Sequence, residues 1–164
     1  MARAQKKLHE ILPAIIDRLR DQIDWANESN CFFSLNSRAK PNHDPGGIWL
    51  TVSPGGGKFD EQAFAGAGRE AMITDTNFTV TAHSPVALDE RGHDLEFLVH
   101  ESLGVIRAMD DVLEALAGHD LSDGTDELTR EPIYPNGWEE PERQTEWLGR
   151  LGMVFALKFD WRLA

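Results

Sequence analysis

The chain of 164 residues contains one cysteine, Cys31. That excludes an intramolecular disulfide and every all-cysteine metal site. No apolar run approaches the roughly 20 residues of a membrane span. The basic start (Arg3, Lys6, Lys7) has no signal-peptide apolar stretch behind it. Basic residues are also scarce, with 16 Lys and Arg against 28 Asp and Glu, giving a formal charge of −12. A field of that sign repels phosphate, so the chain is a poor general binder of nucleic acid. Apolar material is not lacking. Hydrophobic residues make up 41%, enough to build a core. The expectation is one soluble domain over 1–164, in a reducing compartment.

The acidity is unevenly placed. Residues 1–88 hold 10 acids and 9 bases, residues 89–146 hold 17 and 4, and residues 147–164 hold 1 and 3. The middle segment thus carries −13 and its flanks −1 and +2. A solvated helix face with polar loops is one reading. A surface that must repel something anionic is the other.

Periodicity orders the elements. Leu8, Ile11, Leu12, Ile15, Ile16, Leu19 and Ile23 recur on one helix face. Pro13 lies inside that pattern, so the helix is expected to start near it or kink there. Cys31 to Leu35 reads as a short strand, and 37–47, with Pro41, Pro45, Gly46 and Gly47, as a loop. Ile48 to Val52 is β-branched and aromatic and reads as a strand. Ser53-Pro54-Gly55-Gly56-Gly57 is expected to break it, opening a loop over 54–70. Met72 to His83 reads as a strand pairing back on it. Leu95, Leu98, Ile106, Met109, Leu113 and Leu116 predict the longest helix, with Asp94 near its start and Gly118 just past its end. A third long loop is expected over 120–147. Within it, Leu128 to Tyr134 is a short or edge strand, because Pro132, Pro135, Gly137 and Pro141 surround it. Alternation over Leu151, Met153, Phe155, Leu157, Phe159, Trp161 and Leu163 predicts a long antiparallel strand with one wetter face. The order implies an α+β fold: an antiparallel sheet of four to five strands with two helices on one face. Long ordered loops point to an interaction role.

The sequence contains no recognised catalytic constellation. Gly55-Gly56-Gly57-Lys58 is followed by Phe59 where a phosphate loop needs Ser or Thr, and no helix pattern follows, so a glycine-rich turn or hairpin tip is expected instead. Glu96 and His100 are one helical turn apart, with His93 near, but no recognised metal-ligand spacing appears among the six histidines. His83 and Ser84 are neighbours on a strand and so face opposite ways, which argues against a nucleophile pair. Cys31, among Phe32 and Phe33, reads as an inert core thiol. Trp25, Trp49, Trp138, Trp147 and Trp161 either plug the core edge or form a binding surface, with Trp161 placed in the core. The expectation is a non-enzyme with no catalytic, cofactor-binding or metal-binding residues.

The layout resembles the tail terminator (tail completion) proteins of long-tailed bacteriophages and prophage-like particles. The resemblance rests on the amphipathic helix Leu8 to Ile23 and on the strand pair with a glycine-rich connection from Ile48 to His83. It rests also on a long helix leading to Ala115-Leu116-Ala117-Gly118-His119-Asp120-Leu121. The chain closes on Leu148-Gly149-Arg150-Leu151-Gly152-Met153-Val154-Phe155, continued to Trp161 as a long terminal strand. The resemblance implies a structural virion protein without catalytic residues. Such subunits form a ring, usually a hexamer, that caps the tail tube, stops its polymerisation and joins tail to head. The implied partners are other copies of itself, the tail tube protein and a head-completion or neck protein. DNA would pass through the lumen without specific binding, and no membrane is involved. The implied location is the virion tail, assembled in the host cytoplasm. Another neck, connector or injection-device component, or a small non-catalytic binding module, is the alternative.

Overall fold

The structure is a computed structural model that describes residues 2–3, 6–35, 47–65, 71–85, 95–101, 104–122, 126–145 and 148–163. In chain order the elements are β1 (Ala2–Arg3), α1 (Leu8–Gln22), β2 (Cys31–Phe33), β3 (Trp49–Ala65), β4 (Ala71–Pro85), α2 (Leu95–Val99) and α3 (Val105–Leu116). They continue as β5 (Asp126–Glu127), β6 (Tyr134–Trp138), β7 (Glu142–Thr145) and β8 (Leu148–Arg162). The fold is α+β, as expected. A six-stranded sheet runs β2-β3-β4-β8-β6, with β7 also paired to β8, while β1 and β5 form a separate parallel pair. The expected loop at 37–47 lies almost wholly outside the described residues.

Within the six-stranded sheet one described pairing departs from the antiparallel expectation: β2 runs parallel to β3. A parallel return needs a connection of about a dozen residues or more, and 34–48 supplies it where a hairpin would have been shorter. Arg20 fastens β2 to the last turn of α1, its Nε and Nη2 donating to the Cys31 carbonyl at 3.1 and 2.7 Å.

α1 begins at Leu8 rather than at Pro13. The Lys7 amide donates to Glu10 Oε2 at 2.7 Å, satisfying an orphan donor of the first turn. That bond, reinforced by the nearby Arg162 and Lys6, holds the Glu10 carboxyl below its usual range despite some burial. Pro13 sits on the exposed face, where the helix tolerates one missing bond to the His9 carbonyl because Ile11, Ile15, Ile16 and Leu19 are buried on the other side.

The glycine run does not break β3. The strand continues to Ala65, and β4 follows it back from Ala71 to Pro85. The register shifts between Pro54 and Gly57, so the glycines form a bulge inside the ribbon rather than its tip. Glycine is needed there for close approach: a Cβ on Gly57 would stand 2.7 Å from the Asp75 carbonyl oxygen, and one on Gly55 2.7 Å from that of Asn77. Most of the expected 54–70 loop is therefore strand.

The expected long helix is two helices. α2 ends at Val99, and α3 starts after Gly104, whose amide donates to the His100 carbonyl at 2.9 Å. A Cβ on Gly104 would meet backbone atoms of His100 and Leu98 at 2.6 to 2.8 Å. The break frees α3 to choose its own phase. Val105, Ala108, Met109, Val112, Ala115 and Leu116 are buried, and Ile106 is exposed. Gly118, at φ +75°, takes the left-handed position past the helix end as expected. Among the described residues α1, at 15 residues, is the longest helix.

The 120–147 segment is also more structured than a loop. Its main strand is β6, shifted beyond the expected Leu128–Tyr134, and it does lie at a sheet edge. β8 pairs with β4 along its whole length and with β6 and β7 on its other side. Leu151, Met153, Phe155, Leu157 and Phe159 point to the helices and are buried with Leu50, Val52, Phe78, Val80 and the apolar faces of α1 and α3. Phe78 and Phe155, opposite in register, stack at 5.4 Å.

Candidate interaction surfaces

The sequence candidates separate in space. Gly55–Lys58 belongs to the β3 bulge and opens no helix, so it makes no phosphate cradle. His100 lies just past α2, while His93 and the Glu96 side chain fall outside the described residues. Among the described residues no three of His, Cys, Asp and Glu gather closely enough to hold a metal ion. His83 and Ser84 face opposite ways: the serine hydroxyl donates to the Pro85 carbonyl at 3.2 Å, away from the imidazole. Cys31 is fully buried, and burial pushes its thiol up to about 11, so it stays protonated and unreactive at neutral pH.

A buried polar cluster occupies the sheet face opposite the helices, and sequence reading missed it. Trp49, Thr51 and Ser53 on β3 share that face with Thr81 and His83 on β4 and Arg150 on β8. His83 stacks on Trp49, with ring centroids 5.1 Å apart, and its Nε2 lies 3.0 Å from Thr51 Oγ1. Burial, then the Arg150 charge, lowers its pKa to about 4, so the ring is neutral at physiological pH. Arg150 is bound by Glu142 at 2.8 Å and Glu139 at 3.4 Å. Among the described residues, the indole nitrogen of Trp49, His83 Nδ1 and the hydroxyls of Ser53 and Thr81 have no hydrogen-bond partner. The available signal was the alternation of Trp49, Thr51 and Ser53 with apolar Leu50 and Val52, which reads equally well as a wet face.

The tryptophans divide. Trp49 is buried, and Trp25 is half-buried with its indole donating to Asp111 Oδ2 at 2.8 Å. Trp161 is half-buried against the core beside Phe59 and Phe159. Trp147 lies outside the described residues. Trp138, on β6, is 73% exposed and belongs to a surface.

The sheet ends in two unlike edges. On one side β2 covers β3 only from Leu50 to Val52, and among the described residues nothing pairs the outer side of β3 beyond Ser53. Beside that open stretch, His9, Leu12 and Pro13 of α1 and Phe33, Ser34, Leu35 and Pro54 line an apolar groove of about 340 Å³. On the other side β6 carries Tyr134 and Trp138, both exposed, and runs on into Glu139 and Glu140. A polar cleft of about 440 Å³ crosses the face opposite the helices, with Lys158 between Asp75 at 3.8 Å and Glu131 at 3.5 Å.

The acidic segment is not one band. Among the described residues its exposed carboxylates form two groups, with Glu101 alone between α2 and α3. Asp110, Asp111 and Glu114 line the outer face of α3, and Glu131, Glu139, Glu140 and Glu142 stand around β6 and β7.

No protein-family model matches the chain, and no curated protein does. Among solved structures, one chain that is similar in path is described as "Virion of native gene transfer agent (GTA) particle". It is 14% identical, with 92% of this chain and 97% of that chain covered at a TM-score of 0.49. No helix among the described residues is long and apolar enough to cross a membrane.

Proposed function

We propose that this chain is a ring-forming structural subunit of a phage-like virion, and within that class a tail terminator. It caps the tail tube, stops its polymerisation and offers a surface to the head-completion or neck protein. The single observation that carries the reading is the pair of unlike open edges on one sheet. A closed ring is built from heterologous contacts, in which one patch of each subunit meets a different patch of the next. An apolar groove at one edge and an exposed tryptophan with acids at the other are two such patches. A self-complementary dimer would need only one.

The carboxylates support the same reading. A conduit for DNA works best when its wall repels phosphate. The outer face of α3, with Asp110, Asp111 and Glu114 and none of them in an intrachain ion pair to a described base, is the stretch best suited to line a lumen. The test is functional. The purified chain is added to tail tube protein polymerising in vitro, and tube lengths are read by electron microscopy. Shortened tubes with extra density at one end are expected. Unchanged lengths with bare ends would overturn the tail-terminator reading.

A further inference from the structure

We propose that Trp138 of one copy docks into the groove formed by Leu12, Pro13, Phe33, Leu35 and Pro54 of the next copy, and that this is the contact repeated around the ring. The inference rests on the ring reading above. Its partner is a second copy of this chain.

Three observations select that partner. The first is exposure at edges. Leu35 is 94% exposed, Trp138 73% and Phe33 42%, each beside a strand edge. Folded chains protect sheet edges, and apolar surface gathered there marks a contact.

The second is the layer on which the two patches lie. Trp138 stands opposite Met153 in the β6–β8 register, and the Met153 side chain is in the core, so both are on the helix-bearing side of the sheet. The groove lies between α1 and the β2–β3 edge, on that same side. Rotation about a ring axis carries one subunit onto the next without exchanging layers. It therefore brings the β6 edge of one copy to the β3 edge of its neighbour with the helix layers aligned. A two-fold contact through one edge would instead set β6 edge against β6 edge, or β3 edge against β3 edge.

The third is charge. Glu139 and Glu140 follow Trp138 directly and are exposed; Glu139 is engaged by Arg150 at 3.4 Å, so Glu140 is the acid the anchor brings. The groove opens at the N-terminal half of α1, where His9 is exposed and Lys6 and Lys7 precede the helix. The helix N-terminus adds a partial positive charge, and Glu10, the acid of that turn, is occupied by the Lys7 amide and by Arg162 at 3.7 Å. Acid beside the anchor thus meets base beside its groove. Tryptophan is among the residues enriched at interface hot spots, and the groove volume of about 340 Å³ accommodates an indole.

Complementation between two variants tests the contact. Trp138→Glu removes the anchor and leaves the groove, while Leu35→Glu spoils the groove and leaves the anchor. Both residues are exposed, so both variants should melt with the wild type. The wild-type chain is expected to oligomerise by light scattering. Each variant alone is expected to lose at least about tenfold in self-association. An equimolar mixture is expected to form a dimer and stop there, because it contains one intact pair of surfaces. Monomeric variants that give no dimer on mixing would show that the two surfaces do not meet. Wild-type assembly by both variants would overturn the contact, leave the ring reading standing and assign groove and tryptophan to a different protein. A wild-type chain that is monomeric at every concentration would overturn the ring reading itself, and the contact with it.

Discussion

At the scale of the residue, His83 is the most informative side chain. It is neutral, stacked on Trp49 and, among the described residues, bonded through one ring nitrogen only. Folding lowers its pKa from about 6.5 to about 4, with burial the larger cause and Arg150 the second. Between those two values the unfolded chain binds a proton that the folded chain refuses. Stability from this group is therefore complete above about pH 6.5 and is lost as pH falls toward 4. The full effect is about 3 kcal/mol at most. Urea unfolding at several pH values should show wild type losing stability over that window more steeply than His83→Gln. Parallel pH profiles for the two proteins would contradict the account. None of this was legible from the sequence, where His83 stood out only as a neighbour of Ser84. The alternation of a strand says which residues share a face but not whether water reaches it.

At the scale of the element, β3 shows how a local rule loses to a neighbour. Pro54 followed by three glycines is a strong turn signal on its own. Here β4 pairs with Pro54 before the bulge and with Gly57, Lys58 and Phe59 after it, and the bulge uses the glycines to let two backbones come close. Gly57→Val is therefore expected to destabilise the fold by about 1–3 kcal/mol through overpacking, read as a lowered denaturation midpoint. Gly56, whose Cβ position is open, should tolerate alanine. Equal tolerance at both positions would argue for a turn.

Gly104 teaches the same lesson for helices. The apolar stripe from Leu95 to Leu116 looks continuous, yet the backbone crossing at His100 needs a residue without a side chain, and the stripe resets there. By contrast the buried face of α1 and the body of β8 were legible, because long amphipathic periods with buried isoleucines or alternating Leu, Met and Phe leave one solution, although Pro13 obscured where α1 starts. The edge position of β6 was legible too, from Pro135 and Gly137, although its bounds were not. The two candidate surfaces were only half legible. Trp138 stood out as an aromatic in a polar stretch, whereas the groove needs Leu12 and Pro13 brought beside Phe33, Leu35 and Pro54, which lie far from them in sequence.

At the scale of the whole molecule, the charge of −12 resolves into places with different work. The carboxylates around β6 and β7 hold Arg150 and flank the proposed anchor, and those on α3 face outward. Two unlike edges on one sheet make a subunit that can add to itself head to tail. The central claim is that it does so and that the assembly closes. Negative-stain microscopy of the concentrated chain, with its native mass from light scattering, tests this most directly. The account predicts closed rings with an open centre and a mass that is a fixed multiple of 18.4 kDa, six being the number the resemblance implies. A mass of 18.4 kDa at every concentration, or a two-fold dimer without a lumen, would contradict it.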